Sequence, residues 1–192
     1  MEAIKNIDIG GAKNENIQEG KWKILDILKH VDYVFDLNSG EPLPFKTCSV
    51  DNIYCSHTLE HIKPELTVFI LSEMLRILKK KGRVRLIVPD IEKGIHLYLE
   101  RKQKGPAKAY PGIPKHYPKT RLGMLIAWFV TPDKSLQSGH KMGFDHETLE
   151  WCLKEAGFTN ISHRKYKACS EAFVGKDLKT YATNSVFMEA EK

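Results

Sequence analysis

The stretch Val50-Asp51-Asn52-Ile53-Tyr54-Cys55-Ser56-His57-Thr58-Leu59-Glu60-His61-Ile62 constrains this chain more than any other. It reads as an apolar strand that ends in a polar cluster and passes straight into a helix. That helix returns through Gly82 to a second apolar strand over Val84–Val88. Strands alternating with helices or long crossovers imply a mainly parallel, doubly wound sheet. In an open α/β sheet, ligands bind at the carboxyl ends of the strands. Ser56, His57, Glu60 and His61 therefore fall on the working edge.

The remaining elements follow from local pattern. Ile4, Ile7 and Ile9 with Asp8 predict a first strand running into Gly10-Gly11. Ala12–Gly20 is polar and reads as a loop. Trp22–Ile27 predicts a second strand carrying Asp26 near its end, and Val31–Leu37 a third ending in Asp36-Leu37. Pro64 suits the first turn of a helix. Leu66, Phe69, Ile70, Met74, Ile77 and Leu78 recur at helical spacing behind it. Lys79, Lys80 and Lys81 then sit where cations favour a helix C-terminus, and Gly82 is placed to cap it. Asp145 is placed to cap a helix carrying Leu149, Cys152 and Leu153, ended by Gly157. Phe158–Tyr166 and Ser185–Ala190 predict a last, antiparallel pair of strands.

A length of 192 residues fits a single domain spanning residues 1–192. The net charge of +6 is unevenly placed, with ten Lys or Arg against Glu100 and Asp133 between Lys93 and Lys141. Such a segment favours anionic partners. With its prolines and aromatics, residues 91–141 read as an inserted basic lid or substrate segment. Tyr98, Tyr110, His116, Tyr117 and Trp128 are its candidate ring or sugar clamp. Leu122–Val130 is about half the length needed to cross a bilayer and reads as a buried helix. The scattered Cys48, Cys55, Cys152 and Cys169 lack a C-x-x-C pair. With no signal-peptide pattern, a cytoplasmic location is expected.

Taken in order, several motifs resemble the class I S-adenosylmethionine-dependent methyltransferases, and within them the small predicted enzymes associated with surface-polysaccharide genes. These are Asp8-Ile9-Gly10-Gly11, Trp22–Asp26, Asp36-Leu37, Glu41–Phe45, Ser49–Asp51, Ser56–Ile62, Arg76–Lys79, Arg83–Asp90, Phe144-Asp145 and Glu155–Phe158. The resemblance implies a seven-stranded, Rossmann-like sheet with S-adenosyl-L-methionine as cofactor. It departs where the family's glycine loop is replaced by Ala12 and Asn14, and in Leu78-Lys79-Lys80-Lys81-Gly82 for Leu-Lys-Pro-Gly-Gly.

Within that resemblance, Asp8, Gly10 and Gly11 fall at the methionine end of the cofactor, where a β-carbon on either glycine would block close approach. Asp26 is placed to accept hydrogen bonds from the ribose, Asp36 and Leu37 lie by the adenine, and Ser56 and His57 lie beside the transferring methyl. His57, His61 and His140 are the candidate bases, needed only where the acceptor must lose a proton. Some related RNA and quinone-precursor methyltransferases bind a divalent ion through Glu-x-x-Glu-His at this junction and a downstream histidine. By that resemblance His57 stands for the first glutamate, Glu60 and His61 for the rest and His140 for the distant ligand, two histidines with one carboxylate being a workable set. An i, i+3 spacing is common by chance, and no metal is assigned. The expected activity is methylation of a small or glycan-linked, anionic acceptor. The alternatives are an RNA-directed methyltransferase, with nucleic acid the less favoured partner, or a non-catalytic binding module with an altered cofactor loop. A nicotinamide oxidoreductase is disfavoured, since G-x-G-x-x-G does not follow the first strand.

Overall fold

The structure, a computed structural model, describes residues 5–11, 21–101, 120–129 and 139–192. Seven strands form one sheet: β1 (Asn6–Ile9), β2 (Lys23–Asp26), β3 (Tyr33–Val34), β4 (Val50–Ser56), β5 (Leu78–Pro89), β6 (Thr159–Arg164) and β7 (Ser185–Glu191). Their order is β3-β2-β1-β4-β5-β7-β6. The first five run parallel, and β7 inserts antiparallel between β5 and β6. The expected doubly wound sheet and closing antiparallel pair are present. Among the described residues no helix is long and apolar enough to cross a membrane.

Strand alternation sorts side chains onto two unlike faces. One face is aliphatic. Ile7 and Ile9 of β1, Ile53 and Cys55 of β4, Val84, Leu86 and Val88 of β5, and Val186 and Met188 of β7 join one buried cluster. Helix α1 (Pro64–Ile77) contributes Ile70, Leu71, Met74 and Ile77, and a later helix contributes Leu149, Cys152 and Leu153. Each such side chain stabilises the fold by about 1.5–3 kcal/mol through burial.

The opposite face carries charge. Asp8 is paired in register with Tyr54, Tyr54 with Arg85, and Arg85 with Glu189. These four side chains form one row across β1, β4, β5 and β7, and all are buried. Two consecutive residues from the loop before β7 complete the row. Lys176 pairs with Asp8, and its ammonium lies 4.8 Å from the Trp22 ring centre and 4.9 Å from that of Tyr54. Asp177 takes Arg85 through both oxygens, at 2.9 and 2.6 Å, while Arg85 also reaches Glu189 at 2.8 Å. Trp22, Tyr54, Phe173, Ile87 and Phe187 pack around this network.

Three expectations are corrected. The third strand is two residues long, because Asp36 accepts a hydrogen bond from the Asn38 amide at 2.8 Å and turns the chain. Helix α1 ends at Ile77, not at a Gly82 cap. Leu78 is extended and pairs with Val50, so Lys79, Lys80, Lys81 and Gly82 belong to β5. The last carbonyls of the helix are met by the amides of Cys48 and Ser49 at 3.1 and 2.8 Å. Gly82 is needed for another reason: a β-carbon there would lie 2.8 Å from the Lys79 carbonyl and 2.9 Å from that of Asp51.

The third correction concerns the segment after β5. Asp90 caps α2 (Ile91–Leu99) by accepting from the Lys93 amide at 3.0 Å. Helix α3 (Arg121–Phe129) packs on α2, with the Arg121 guanidinium 5.0 Å from the Tyr98 ring centre. Leu122 and Ile126 remain exposed, so this is not a fully buried helix. The Ala12–Gly20 loop, most of the basic residues, and Tyr110, His116 and Tyr117 lie outside the described residues, as does the Trp128 side chain. Helix α4 (His146–Glu155) starts at the Asp145 cap, which accepts from the Thr148 amide at 2.7 Å.

Replacing Arg85 with Met leaves Asp177 and Glu189 buried without their cation. This should cost about 3–5 kcal/mol in urea denaturation. Lys23→Ala, which removes the exposed ion pair with Asp32, should cost less than about 1 kcal/mol.

Candidate active site

The carboxyl ends of β1 to β4 open into one cavity of about 560 Å³. Asp8, Gly10 and Gly11 line it from β1 and its turn, Asp26 from the end of β2, and Asp36 and Leu37 from the turn after β3. Ser56, His57, Glu60 and His61 line it from the junction after β4, and His140 from the limb leading to α4. Every cofactor-site and base candidate named from the sequence therefore meets at one edge of the sheet, whereas Tyr98 of the candidate clamp does not line the cavity.

Gly10 begins the turn after β1. Its amide donates to the Leu25 carbonyl at 2.8 Å, and its φ of +78° lies in the left-handed region. The reason for glycine differs from the expected one. A β-carbon on Gly10 would strike the Thr58 side chain, and one on Gly11 would strike the Asp8 carboxylate. The two glycines admit neighbouring protein atoms first, and only thereby keep the turn low beside the cavity. Asp8 is likewise held from behind by Lys176. Asp26 accepts from the Leu28 amide at 2.9 Å, which fixes its carboxylate at the strand end.

The junction after β4 is the most constructed part of the site. Ser56 Oγ is buried and forms no hydrogen bond of good geometry among the described residues. His57 adopts φ +51°, an uncommon conformation for a residue with a side chain. Three contacts hold it there. Its amide donates to the Ile87 carbonyl at 2.8 Å, its ring stacks on Tyr181 at 3.6 Å between centres, and its Nε2 meets Ser185 Oγ at 2.9 Å. Nδ1 faces Glu60 Oε1 at 3.3 Å. A carboxylate beside Nδ1 favours the proton on that nitrogen, leaving Nε2 to accept from the serine hydroxyl.

Glu60 follows in a short 3₁₀ turn, Leu59–His61, and is 1% exposed. Burial acts to raise its pKa. The His57 contact and the charges of His57, His61 and His140 outweigh that and hold the carboxyl below its usual range. The Tyr181 phenol moves up, through burial and the nearby Glu60 charge.

Sequence reasoning missed Leu178, Tyr181 and Ser185. The first two line the cavity and the third holds His57. They lie more than 120 residues beyond Ser56 along the chain, and no local spacing signals that they return to it.

Gly10→Ala should destabilise the fold by roughly 2 kcal/mol, from the φ strain and the clash with Thr58. Adding Thr58→Ala should recover part of that loss, since two of the three nearest colliding atoms disappear. A double-mutant cycle in urea reads the coupling.

Comparison with known proteins agrees with this geometry. The sequence model of a methyltransferase domain matches residues 13–86. A ubiquinone/menaquinone biosynthesis C-methyltransferase of Cronobacter sakazakii is 29% identical over 143 residues, covering 74% of this chain and 51% of the relative. The chain thus spans about half the length of that curated relative. An S-adenosylmethionine-dependent methyltransferase of Methanosarcina mazei superposes with a TM-score of 0.58 at 15% identity, over 100% of this chain and 94% of the other. One from Thermotoga maritima gives 0.56 at 17% identity, over 100% and 84%. The strand order and the gathering of the motifs on one sheet edge are those of the fold these S-adenosylmethionine-dependent methyltransferases share, and the methyltransferase-domain match covers its first part.

Proposed function

We propose that this chain transfers a methyl group from S-adenosylmethionine to a small-molecule acceptor. One observation carries the reading: Gly10, Asp26, Asp36 and Ser56, from four successive strand ends, line a single cavity. A ribose diol needs an acceptor carboxylate at the end of the second strand, where Asp26 stands. The orphaned Ser56 Oγ offers a buried polar group with hydrogen-bonding capacity left over. Leu37, Ile27 and Leu28 supply apolar walls for a purine between the two carboxylates. The residues present therefore fit the cofactor.

Bound there, the cofactor supplies a methyl group already activated on a sulfonium. The chain's own part is alignment, since in-line displacement gains much of its rate from orientation. Where the acceptor must lose a proton, His57 is the base through Nε2, with the Ser185 hydroxyl turning away to give up that nitrogen. Its ring is fixed on both edges and one face, and Glu60 stabilises the imidazolium formed. The basic excess between Lys93 and Lys141 supports an anionic acceptor, whether free or glycan-linked. The relative from ubiquinone/menaquinone biosynthesis supports a second reading, in which the accepting atom is a carbon.

Calorimetry with S-adenosylmethionine tests the proposal. Asp26→Ala should weaken binding by about 1–3 kcal/mol, or roughly 5- to 150-fold. The absence of any heat with the wild-type protein overturns the reading in favour of a non-catalytic module. His57→Ala should lower turnover of a methylated acceptor while leaving cofactor affinity within about twofold. Salt-sensitive RNA binding by the wild-type protein would redirect the search to a nucleic-acid acceptor.

A further inference from the structure

Helix α2 carries an apolar row that the fold covers only at its start. Ile91, Ile95 and Leu99 stand four residues apart, on one face of the helix. Ile91 is 5% exposed, Ile95 40% and Leu99 68%. The row begins in the core, just after β5 ends, and runs out into solvent. Helix α3 repeats the pattern with Leu122 at 51% and Ile126 at 41%. The two helices form one pair, joined by the Arg121 guanidinium over the Tyr98 ring. Each of those residues is next in sequence to an exposed leucine, Tyr98 to Leu99 and Arg121 to Leu122. Large apolar side chains grouped on an exposed element mark an interaction surface.

We propose that the α2–α3 pair docks on an anionic lipid surface, with Ile95, Leu99, Leu122 and Ile126 entering the boundary between headgroups and acyl chains. Charge complementarity selects this partner. From Arg101 to Arg121 the sequence holds seven Lys or Arg and no Asp or Glu. Arg101 is exposed just past the end of α2, and Arg121 opens α3. Cations beside exposed aliphatic side chains are the signature of helices that lie in a membrane interface. Each Lys or Arg held near an anionic bilayer strengthens binding roughly fivefold. Apolar insertion supplies a second anchor, and stable attachment takes two such signals.

Other partners fit this surface less well. Nucleic acid is held by phosphate contacts and by rings stacked on bases, and four aliphatic side chains serve neither. A second copy of this chain would set one cationic stretch against another. The carboxylates of α2 do not reverse the sign. Glu92 lies in its first turn, away from Leu99, and faces His96 at 3.9 Å. Glu100 is followed directly by Arg101.

Each helix has nine residues, so the pair lies on a bilayer rather than crossing it. Helix α2 leaves the carboxyl end of β5, whose Ile87 carbonyl accepts from the His57 amide. The docking surface therefore starts at the sheet edge on which the cavity opens. A docked chain holds that cavity close to the lipid, where an amphiphilic acceptor collects. That consequence rests on the methyltransferase reading, whereas docking itself does not.

The test is co-sedimentation of the full-length protein with vesicles of phosphatidylcholine, alone or with about one-third phosphatidylglycerol. The anionic vesicles should bind at least roughly tenfold more tightly, and less so at high salt. Leu99→Ser combined with Leu122→Ser should weaken that binding roughly tenfold. Its thermal melt should stay unchanged, since both side chains are exposed. Arg101→Glu should weaken binding severalfold and lessen its salt dependence. Val34→Ser, at an exposed apolar side chain on β3, should change nothing. Absence of binding to anionic vesicles overturns the proposal. So does binding that salt and Arg101→Glu remove but the paired leucine changes leave intact, which is charge alone. A dimer in light scattering that the leucine changes dissolve, with no vesicle binding, assigns the surface to a second copy and equally overturns it. Neither cofactor nor turnover enters the readout, so its failure is separable from failure of the methyltransferase reading, which Asp26→Ala reports.

Discussion

The ionic row across the sheet, Asp8–Tyr54–Arg85–Glu189, is the constraint on which the site depends. A parallel sheet buried on both faces is expected to be apolar throughout. Here three of four in-register positions are Asp, Arg or Glu, and the loop before β7 supplies partners for Asp8 and Arg85. Lys176 and Asp177 do so as adjacent residues, one answering β1 and the other β5. Once both are seated, the path of the following residues is set. Leu178 and Tyr181 reach the cavity, and Ser185 starts β7 beside His57. An electrostatic match on one face thus determines which groups stand at the sheet edge. Such a network is a weak source of net stability but a strong source of register, since a shifted loop would leave charges unpaired.

His57 shows the local consequence. A left-handed conformation at a residue with a side chain costs of order 1 kcal/mol or more. It persists because Ile87, Tyr181, Ser185 and Glu60 hold the backbone and the ring from four sides. Two of those four come from the segment that the ionic row positions. The strained junction and the charged sheet face are one mechanical unit, even though the residues lie far apart in sequence.

The edge of the sheet was legible because parallel α/β topology is written in local alternation. Strands end where polar residues begin, and Asp26, Asp36 and Ser56 fall at such ends. The helix spacing from Leu66 to Ile77 was equally plain. Failures occurred where tertiary contacts overrode local chemistry. Lys79-Lys80-Lys81-Gly82 has the composition of a helix terminus, yet Leu78 pairs with Val50 and draws the segment into β5. Gly10 and Gly11 looked like a ligand cradle, whereas their missing β-carbons make room for Thr58 and Asp8. Asp8 gave no hint of its pairing with Lys176, because a contact between residues 168 positions apart leaves no trace in spacing.

The cavity is zoned, and the zoning bears on how two ligands can share it. Carboxylates stand at one end, Asp26 and Asp36, each steadied by a backbone amide two residues on. Imidazoles stand at the other, His57, His61 and His140, grouped around Glu60. Apolar side chains, Leu37, Phe35 and Leu178, also line it. A nucleoside with free hydroxyls belongs at the carboxylate end, where acceptors are abundant and donors scarce. An acceptor that binds through oxygen matches the imidazole end, where ring nitrogens can hold it. The two ends meet at Ser56, the last residue of β4.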